Sequence, residues 1–200
     1  MAKRALDLVV AGALLVVLSP VFAVVIAAYL VDCVLVPTDR GPLFYREIRI
    51  SRGRRFGLLK FRTLKRDVLA QSHGHARPHE ADVENLTWLG RRILKPWYLD
   101  EIPQLLNVLR GDISLVGPRP WPPHMVERQV AEGLDYRLHV TAGLTGPAQI
   151  TKGSGRLFAD LDTDYVAALA TLSGVALIRH DARILLRTVG VMLRRQGLSY

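Results

Sequence analysis

The chain has 200 residues, enough for one domain with or without a membrane anchor. It carries 27 lysines and arginines against 18 acidic residues, a net charge of +9 that permits binding to anionic lipid or nucleic acid. The single cysteine, Cys33, excludes an intrachain disulfide and fits a reducing compartment. No Walker-type loop and no G-x-G-x-x-G motif occurs in the sequence, so a P-loop or Rossmann nucleotide site is not indicated.

The first predicted element is a long apolar segment. Residues 8–31 carry no charge in 24 positions, more than the roughly 18 apolar residues that indicate a membrane segment. The run is longer than the apolar region of a secretory signal peptide, so we expect it to be retained as an anchor. Ser19 and Pro20 stand at its middle, and proline kinks or breaks a helix. Each half would form about 18 Å of helix, less than the bilayer core of about 30 Å.

Two membrane arrangements are compatible with this break. The helix either enters and leaves by the same face of the bilayer, or spans it with a kink. Lys3 and Arg4 precede the apolar run and several arginines follow it, and both arrangements keep the main domain in the cytoplasm. We therefore predict an anchor over residues 1–36 and a cytoplasmic domain over residues 37–200, which is long enough to bury a core.

The region after the anchor is predicted to contain both strands and helices. Residues 43–50 alternate in the manner of a strand, and residues 54–64 form its partner beyond a turn at Gly53. Residues 70–85 have no hydrophobic periodicity and are predicted to form a solvated loop. The expected fold class is mixed α/β, mainly helical with small β-hairpin elements. Further helices are expected near residues 86–94, 101–110, 123–132 and 175–196.

The last predicted helix is amphipathic. Its arginines fall within about 80° of the helix surface, and its apolar residues lie opposite. Such a helix packs on the core of the domain or lies in the lipid headgroups with its cations toward anionic lipid, and the sequence leaves both open. The second possibility supports an alternative function, a membrane-anchored basic module that binds anionic lipid or recruits partners. The arginines are Arg179, Arg183, Arg187 and Arg194.

Asp100 and Glu101 are adjacent at the predicted start of the helix that ends at Gly111. Acids in a first helical turn satisfy free backbone N–H groups and complement the helix dipole, so capping explains them. Adjacent helical positions point about 100° apart, so the two carboxylates are also able to do different jobs around one ligand. A helix N-terminus keeps a carboxylate ionised, which suits a nucleophile or a ligand of a hard cation.

Cations that could bind phosphate occur at two places. Arg119 lies between Pro118 and Pro120, whose fixed φ lowers the entropy cost of aiming its guanidinium at phosphate oxygens. A structural arginine in a tight turn explains the same pattern. Lys60 and Arg62 end the predicted hairpin, either as solvated charges or, together with the acids, as part of a diphosphate pocket.

Two other polar clusters are not expected to bind metal. Residues 160–165 (DLDTDY) resemble the start of an EF-hand loop, but Tyr165 replaces the required glycine and Thr171 the glutamate. The histidines of the predicted loop have no partner acid at helical spacing. They are His73, His75 and His79.

Residues 99–120 (LDEIPQLLNVLRGDISLVGPRP) resemble the bacterial sugar transferases, monotopic phosphoglycosyl transferases that act on polyprenyl phosphate. This resemblance implies a form limited to the catalytic domain. It also implies that the Ser19-Pro20 break produces a re-entrant helix at the cytoplasmic face of the bacterial inner membrane, with interfacial amphipathic helices. Shorter matches lie at residues 3–8, 19–20, 41–45, 60–63, 142–150 and 182–189.

The resemblance also implies a reaction, the first membrane step of bacterial glycan assembly. Asp100 would attack the β-phosphate of a nucleoside diphosphate sugar, usually a UDP-sugar, release UMP, and pass the sugar phosphate to polyprenyl (undecaprenyl) phosphate. Glu101 and Asp100 would hold Mg²⁺. Further implied partners are inner-membrane lipids, a second copy of the chain in a homodimer and downstream glycosyltransferases, whereas no nucleic acid is expected. The expected phosphate contacts are Lys60, Arg62, Lys95 and Arg119.

Several positions depart from the pattern of the family, among them Ser51, where a glycine is usual. Lys95 replaces the usual arginine five residues before the nucleophile, which keeps the charge but loses the fork of donors. Tyr98 stands where a serine or threonine is usual. Glu47 replaces a glutamine, and Pro147 replaces a tryptophan. Because the adjacent acids are intact, the departures bear on which sugar is carried more than on the type of reaction.

Overall fold

The computed structural model describes residues 2–72, 76–151 and 157–193. This part of the chain is mainly helical with two small sheets, which confirms the mixed, mainly helical class. Its α-helices are α1 (Ala2–Val17), α2 (Ser19–Leu35), α3 (Arg66–Gln71), α4 (Ala76–His79), α5 (Gln104–Arg110), α6 (Pro123–Ala131), α7 (Tyr136–His139), α8 (Pro147–Ile150), α9 (Phe158–Thr171) and α10 (Gly174–Leu193). Its strands are β1 (Phe44–Ser51), β2 (Arg54–Phe61), β3 (Ser114–Val116) and β4 (Gly143–Thr145). Its other helical turns are 3-10 helices at Pro37–Asp39, Val83–Asn85 and Leu99–Glu101, and a π-helix at Gly90–Leu94.

The chain divides into two compact units, each built from separate stretches of sequence. The first unit contains residues 2–12, residues 49–56 and the described residues from 108 onward. The second unit contains residues 13–48 and 57–107. The expected division into an anchor over 1–36 and a domain over 37–200 stays a prediction.

The predicted helix break at Ser19-Pro20 is confirmed. Helix α1 ends at Val17 and α2 begins at Ser19, whose hydroxyl donates to the carbonyl oxygen of Val16 at 2.8 Å. Pro20 stands in the first turn of α2, where its missing N–H would have no intrahelical acceptor. Within the described residues, no single helix has the length and apolar character to cross a bilayer. Helices α1 and α2 meet that standard only as a pair, and they bend by 54° at the break.

Helix α2 is mostly apolar apart from the buried Asp32 near its end, and one side packs in the second unit. Val25 is buried together with Phe61 of β2, whose ring centroid lies 5.5 Å from that of Phe22. Other apolar side chains of the same helix are exposed, among them Val24 and Val34. A helix that covers a protein core on one side and exposes valines on the other is suited to contact lipid there.

The predicted hairpin is confirmed, because β1 and β2 form a two-stranded sheet that turns at Arg52 and Gly53. The predicted loop over 70–85 was wrong in part, since α3 runs to Gln71 and α4 and a 3-10 turn follow. Val68 and Leu69 of α3 and Ala76 of α4 pack with Leu64 and Leu86, so a few apolar side chains anchor these short helices. The 3-10 turn is capped by the carboxylate of Asp82, which accepts from the backbone N–H of Glu84 at 3.0 Å. His73 and His75 lie outside the described residues.

In the first unit, polar contacts attach the start of α1 to β3 and to the end of α5. The buried carboxylate of Asp7 accepts from Ser114 Oγ at 2.9 Å and from the N–H of Leu115 at 3.0 Å. The guanidinium of Arg4 donates to the last carbonyls of α5, at 2.6 and 2.7 Å. Lys3 Nζ lies 2.5 Å from the buried Asp181 of α10. The cations expected as membrane flanks therefore have protein partners.

Helix α10 packs on the first unit through one face, with Ile184 and Asp181 buried. On its other side Arg179, Arg183 and Arg187 are exposed, while Arg194 lies outside the described residues. Core packing is thus one role of this helix, and contact of its arginines with lipid stays a prediction. Helix α9 is a further helix of this unit, one that the sequence patterns do not predict.

Candidate active site

Asp100 lies in the single 3-10 turn Leu99–Glu101, separated from α5 by Ile102 and Pro103. The predicted helix start at residue 101 was wrong, because α5 begins at Gln104 and has no acid in its first turn. Tyr98, directly before the turn, has φ of 54°, a left-handed conformation that is uncommon for a residue other than glycine. Capping of α5 therefore does not explain the adjacent acids.

The carboxylate of Asp100 is almost fully buried, with 3% exposure, and faces a lysine. Lys95 Nζ lies 3.2 Å from Asp100 Oδ2 and 2.6 Å from Glu80 Oε2. The other carboxylate oxygen of Glu80 accepts from the hydroxyl of Thr63 at 3.1 Å. Lys95 thus bridges two acids, and Thr63 at the end of the hairpin helps to hold the second of them.

Glu101 faces the second lysine of this site. Lys60 Nζ, on β2, lies 3.6 Å from Glu101 Oε1 and 3.6 Å from Glu47 Oε2 on β1. Glu47 and Lys60 are buried, whereas Glu101 is partly exposed. The second unit therefore brings together four of the predicted residues, namely Asp100, Glu101, Lys60 and Lys95.

A π-helix and a close backbone contact position Lys95. The backbone N–H of Lys95 donates to the carbonyl oxygen of Gly90 at 3.0 Å, five residues back, so the helix is wider here than an α-helix. A Cβ atom on Gly90 would stand 2.5 Å from the carbonyl oxygen of Thr63. Only glycine allows the π-helix to approach the hairpin this closely, and that approach brings Lys95 and Thr63 to the same glutamate.

Burial controls the protonation of Asp100. Loss of solvent raises the pKa of Asp100 to about 6, against the favourable charge of Lys95, and the neighbouring Glu101 adds to the rise. Burial alone would lower the pKa of Lys95, but the carboxylates of Asp100 and Glu80 outweigh it and raise the pKa. The expectation that the start of a helix keeps Asp100 ionised was wrong in its cause, because Asp100 precedes α5, although the group is still mostly ionised at pH 7.

The other two predicted phosphate contacts are Arg62 and Arg119. The buried guanidinium of Arg62 donates to the carbonyl oxygens of Pro42 and Leu64, at 2.8 and 2.7 Å, and to that of Asp39. These bonds hold the ends of the hairpin, so we leave Arg62 out of the proposed phosphate contacts. Arg119 belongs to the first unit, where it is partly buried.

The charges of the site suit a hard divalent cation with a bound diphosphate. Four carboxylates face two ammonium groups, which leaves two negative charges when all six are ionised. Among the described residues, no set of three or more histidine, cysteine or acidic side chains forms a metal-binding group. Mg²⁺ usually takes one or two carboxylates and completes its shell with substrate phosphates and water. Asp100 and Glu101 fit that mode.

Sequence reasoning missed the partners of these residues. Glu80 lies in the segment predicted as a loop, and Glu47 was noted only as a departure from a family pattern. Asp162, excluded as a calcium ligand, is buried against Arg137 in the first unit. None of these three positions has a local motif, because each acquires its partner through tertiary contact.

A buried carboxylate paired with a lysine, with a second acid beside it, is the kind of site that phosphoryl-transfer enzymes use. The chain belongs to the bacterial sugar transferase family, whose model matches residues 1–195. The family identified from the motif over 99–120 is thereby confirmed.

Three relatives illustrate the similarity. The chain is 36% identical over 208 residues to an uncharacterized sugar transferase of Haemophilus influenzae and 35% identical over 208 residues to the undecaprenyl-phosphate galactose phosphotransferase of Salmonella typhimurium. Both matches cover 98% of this chain but 41% of the relative. It is 33% identical over 211 residues to the UDP-glucose:undecaprenyl-phosphate glucose-1-phosphate transferase of Caulobacter vibrioides, covering 96% of this chain and 69% of the relative.

Proposed function

We propose that the protein transfers a sugar 1-phosphate from a UDP-sugar to undecaprenyl phosphate through a covalent intermediate on Asp100. The observation that carries this proposal is the buried Asp100 carboxylate, 3.2 Å from the ammonium of Lys95 and adjacent to Glu101. The names of the Salmonella and Caulobacter relatives, which describe sugar transfer to undecaprenyl phosphate, support the same reaction.

The proposed reaction has two displacements at one phosphorus atom. In the first, an oxygen of Asp100 attacks the β-phosphorus of the UDP-sugar, the bond to the bridging oxygen breaks, and UMP leaves with the electron pair. In the second, a phosphate oxygen of undecaprenyl phosphate attacks the same phosphorus and the bond to Asp100 breaks. The carboxylate is restored and the lipid carries a diphosphate-linked sugar.

Lysines and Arg119 supply the positive charge that this chemistry requires. In the second unit, Lys95 and Lys60 keep the carboxylates ionised and contact the phosphate oxygens as negative charge develops there. The proposed contact of Arg119 with a phosphate rests on the Pro-Arg-Pro pattern and on the family resemblance. Glu101, with Asp100, would hold Mg²⁺, which when bound neutralises charge on the diphosphate. The fit of this metal rests on the adjacent carboxylates and the negative balance of the site.

We further propose that the protein lies at the cytoplasmic face of the bacterial inner membrane, with α1 and α2 as a re-entrant pair. The 54° bend and the exposed valines of α2 support this arrangement. A site beside the membrane receives the nucleotide sugar from water and the acceptor from lipid. A homodimer and downstream glycosyltransferases are expected partners on the family resemblance.

The test uses membrane fractions with undecaprenyl phosphate and radiolabelled UDP-glucose or UDP-galactose. We expect wild-type protein to form labelled lipid from at least one donor and Asp100→Asn to form none. When the acceptor is omitted, sugar label should stay covalently bound to the wild type and not to Asp100→Asn. Asp67→Asn removes an exposed acid of α3 and should behave as wild type. Undiminished transfer by Asp100→Asn would remove the nucleophile assignment.

Membership in the sugar transferase family favours this reaction over the alternative of a basic module that binds anionic lipid. The two functions differ in what they require. Lipid binding by a basic surface needs neither nucleotide nor Mg²⁺ and weakens with salt, whereas label transfer depends on both substrates.

A further inference from the structure

In the first unit, the Pro-Arg-Pro segment follows β3 and is anchored to β4 at its start. The N–H of Gly117 donates to the carbonyl oxygen of Thr145 at 2.8 Å. The N–H of Gly143 in turn donates to the carbonyl oxygen of Pro118 at 2.8 Å. A Cβ on Gly143 would stand 2.0 Å from the nitrogen of Gly117, so the close approach of these strands requires glycine.

The other end of the segment is anchored to the tip of the hairpin. The carbonyl oxygen of Trp121 accepts from the N–H of Ile50 at 2.9 Å. Between these backbone anchors, the carbonyl oxygen of Arg119 accepts from Nη1 of Arg137. Of the four contacts described, this one alone is made by a side chain, so a substitution is able to remove it without breaking a strand pair.

Arg137 is itself fixed by contacts on every part of its guanidinium. Nη2 lies 2.5 Å from Asp162 Oδ2, and Nε donates to Gln129 Oε1 at 2.9 Å. The guanidinium carbon stands 4.0 Å from the centre of the Trp121 ring. Arg137 has 5% exposure and Asp162 has 1%, so solvent does not compete for these bonds.

A second layer of hydrogen bonds holds the acid. The hydroxyl of Tyr136 donates to Asp162 Oδ2 at 3.0 Å and accepts from Gln129 Nε2 at 3.2 Å. Tyr136, Gln129 and Asp162 thus form a buried polar network around Arg137. Oδ2 of Asp162 accepts from both Tyr136 and Arg137, whereas its buried Oδ1 has no hydrogen-bond partner among the described residues. The shared bonds at Oδ2 restrict Arg137, because a movement of its guanidinium would break several contacts at once.

We propose that Arg137 is a positioning residue for the transfer reaction, acting through Arg119. Pro118 and Pro120 lock φ on both sides of Arg119, so the main freedom left is rotation of its peptide planes. A hydrogen bond to the carbonyl of Arg119, with the Trp121 ring held next to it, restricts that rotation. This inference rests on the proposed function, in which the Arg119 guanidinium contacts a phosphate.

The test is a double-mutant cycle on transfer from whichever of UDP-glucose or UDP-galactose the wild type uses. Arg137→Lys keeps the charge but cannot reach all four partners, and we expect kcat/KM for the donor to fall about tenfold to a hundredfold. Arg119→Ala should lower the same parameter. When Arg137→Lys is added to Arg119→Ala, kcat/KM should fall by less than about a further twofold, because the two substitutions remove the same function.

Tyr136→Phe is the matched control, since it removes a bond to Asp162 and leaves the contact to Arg119. We expect it to lower Tm without changing kcat/KM more than about twofold. If Arg137→Lys does not fold, Trp121→Leu removes the stacked ring instead and should show a smaller loss with the same dependence on Arg119.

Each unfavourable outcome identifies which proposal fails. Effects of Arg137→Lys and Arg119→Ala that multiply would show that Arg137 does not act through Arg119, and would overturn the positioning role alone. Wild-type transfer that Arg119→Ala leaves unchanged would also overturn it, while the roles of Asp100 and Lys95 stand. Absence of transfer by the wild type with every donor would overturn the proposed function and this inference with it.

Discussion

Replacing Lys95 by methionine removes the cation that opposes the burial of Asp100. Two unit charges 3.2 Å apart in an effective dielectric of about 20 interact by about 5 kcal/mol before solvent screening. The side chain of Lys95 is 30% exposed and shares its charge with Glu80, which reduces this value. We therefore expect Lys95→Met to raise the pKa of Asp100 by about one to three units, the range found for a neighbouring opposite charge.

The assay is the pH dependence of kcat/KM for the UDP-sugar donor, which reports groups of the free enzyme. The nucleophile must be ionised, so wild-type kcat/KM should fall as the pH drops through about 6. In Lys95→Met the fall should begin at higher pH. With a rise of about two units, ionisation of Asp100 at pH 7 drops from about 90% to about 10%, a tenfold loss that is recovered at pH 9. The loss of the proposed phosphate contact of Lys95 adds a decrease in kcat/KM that stays the same at every pH.

Two controls separate charge from packing. Lys95→Arg keeps the cation. The acidic limb of its pH profile, which is the fall of kcat/KM at low pH, should therefore stay close to that of the wild type. Glu80→Gln removes a carboxylate that raises the pKa of Asp100, so its limb should move in the opposite direction, to lower pH. An acidic limb that stays at the wild-type pH in Lys95→Met would refute the reasoning that Lys95 keeps Asp100 ionised.

Two predictions concern stability and are measured by urea or thermal unfolding in detergent. Gly90→Ala would place a Cβ 2.5 Å from the carbonyl oxygen of Thr63 and should cost about 1–3 kcal/mol. Gly190→Ala, in open space on α10, should be neutral or stabilising by up to about 1 kcal/mol. Equal losses of unfolding free energy in Gly90→Ala and Gly190→Ala would contradict the packing argument. Asp7→Ala leaves two buried donors of β3 without their acceptor, at about 1–3 kcal/mol each. Asp7→Asn keeps Oδ1 and should cost clearly less than Asp7→Ala.

The elements that the sequence predicts well are those with local causes. The break at Pro20 follows from a missing donor, and the hairpin over residues 43–64 from alternation around Gly53. The segment over 70–85 was predicted poorly because its short helices depend on a few tertiary contacts, such as the packing of Ala76 with Leu64 and Leu86, which leave no hydrophobic period in the sequence. Helix α9 is another element outside these local patterns.

The candidate site was predicted through the motif of the family rather than through periodicity. Asp100, Glu101, Lys60 and Lys95 do meet in the second unit, although their spacing in sequence gives no such distance. Glu80 could not be predicted, since its contact with Lys95 depends on a π-helix that brings two distant segments together.

The partners of the cations that precede the apolar run could not be predicted from local sequence either. Lys3 and Arg4 before an apolar run are typical of a membrane boundary, and local sequence suggests nothing else. The structure gives Arg4 the carbonyls at the end of α5 and gives Lys3 a buried aspartate of α10. Charge counting predicts orientation for cations that have only water as a partner, whereas these two are partly buried and bonded to protein groups.

The protonation of Asp100 links burial to the proposed chemistry. A carboxylate at an exposed helix start would have a low pKa and correspondingly weak basicity. Burial raises the pKa of Asp100 to about 6, which strengthens its oxygen as a nucleophile, while Lys95 keeps most of it ionised at pH 7. A bound cation or phosphate changes the balance of charges around Asp100. The acidic limb should therefore differ between kcat/KM, which reports the free enzyme, and kcat, which reports the complex.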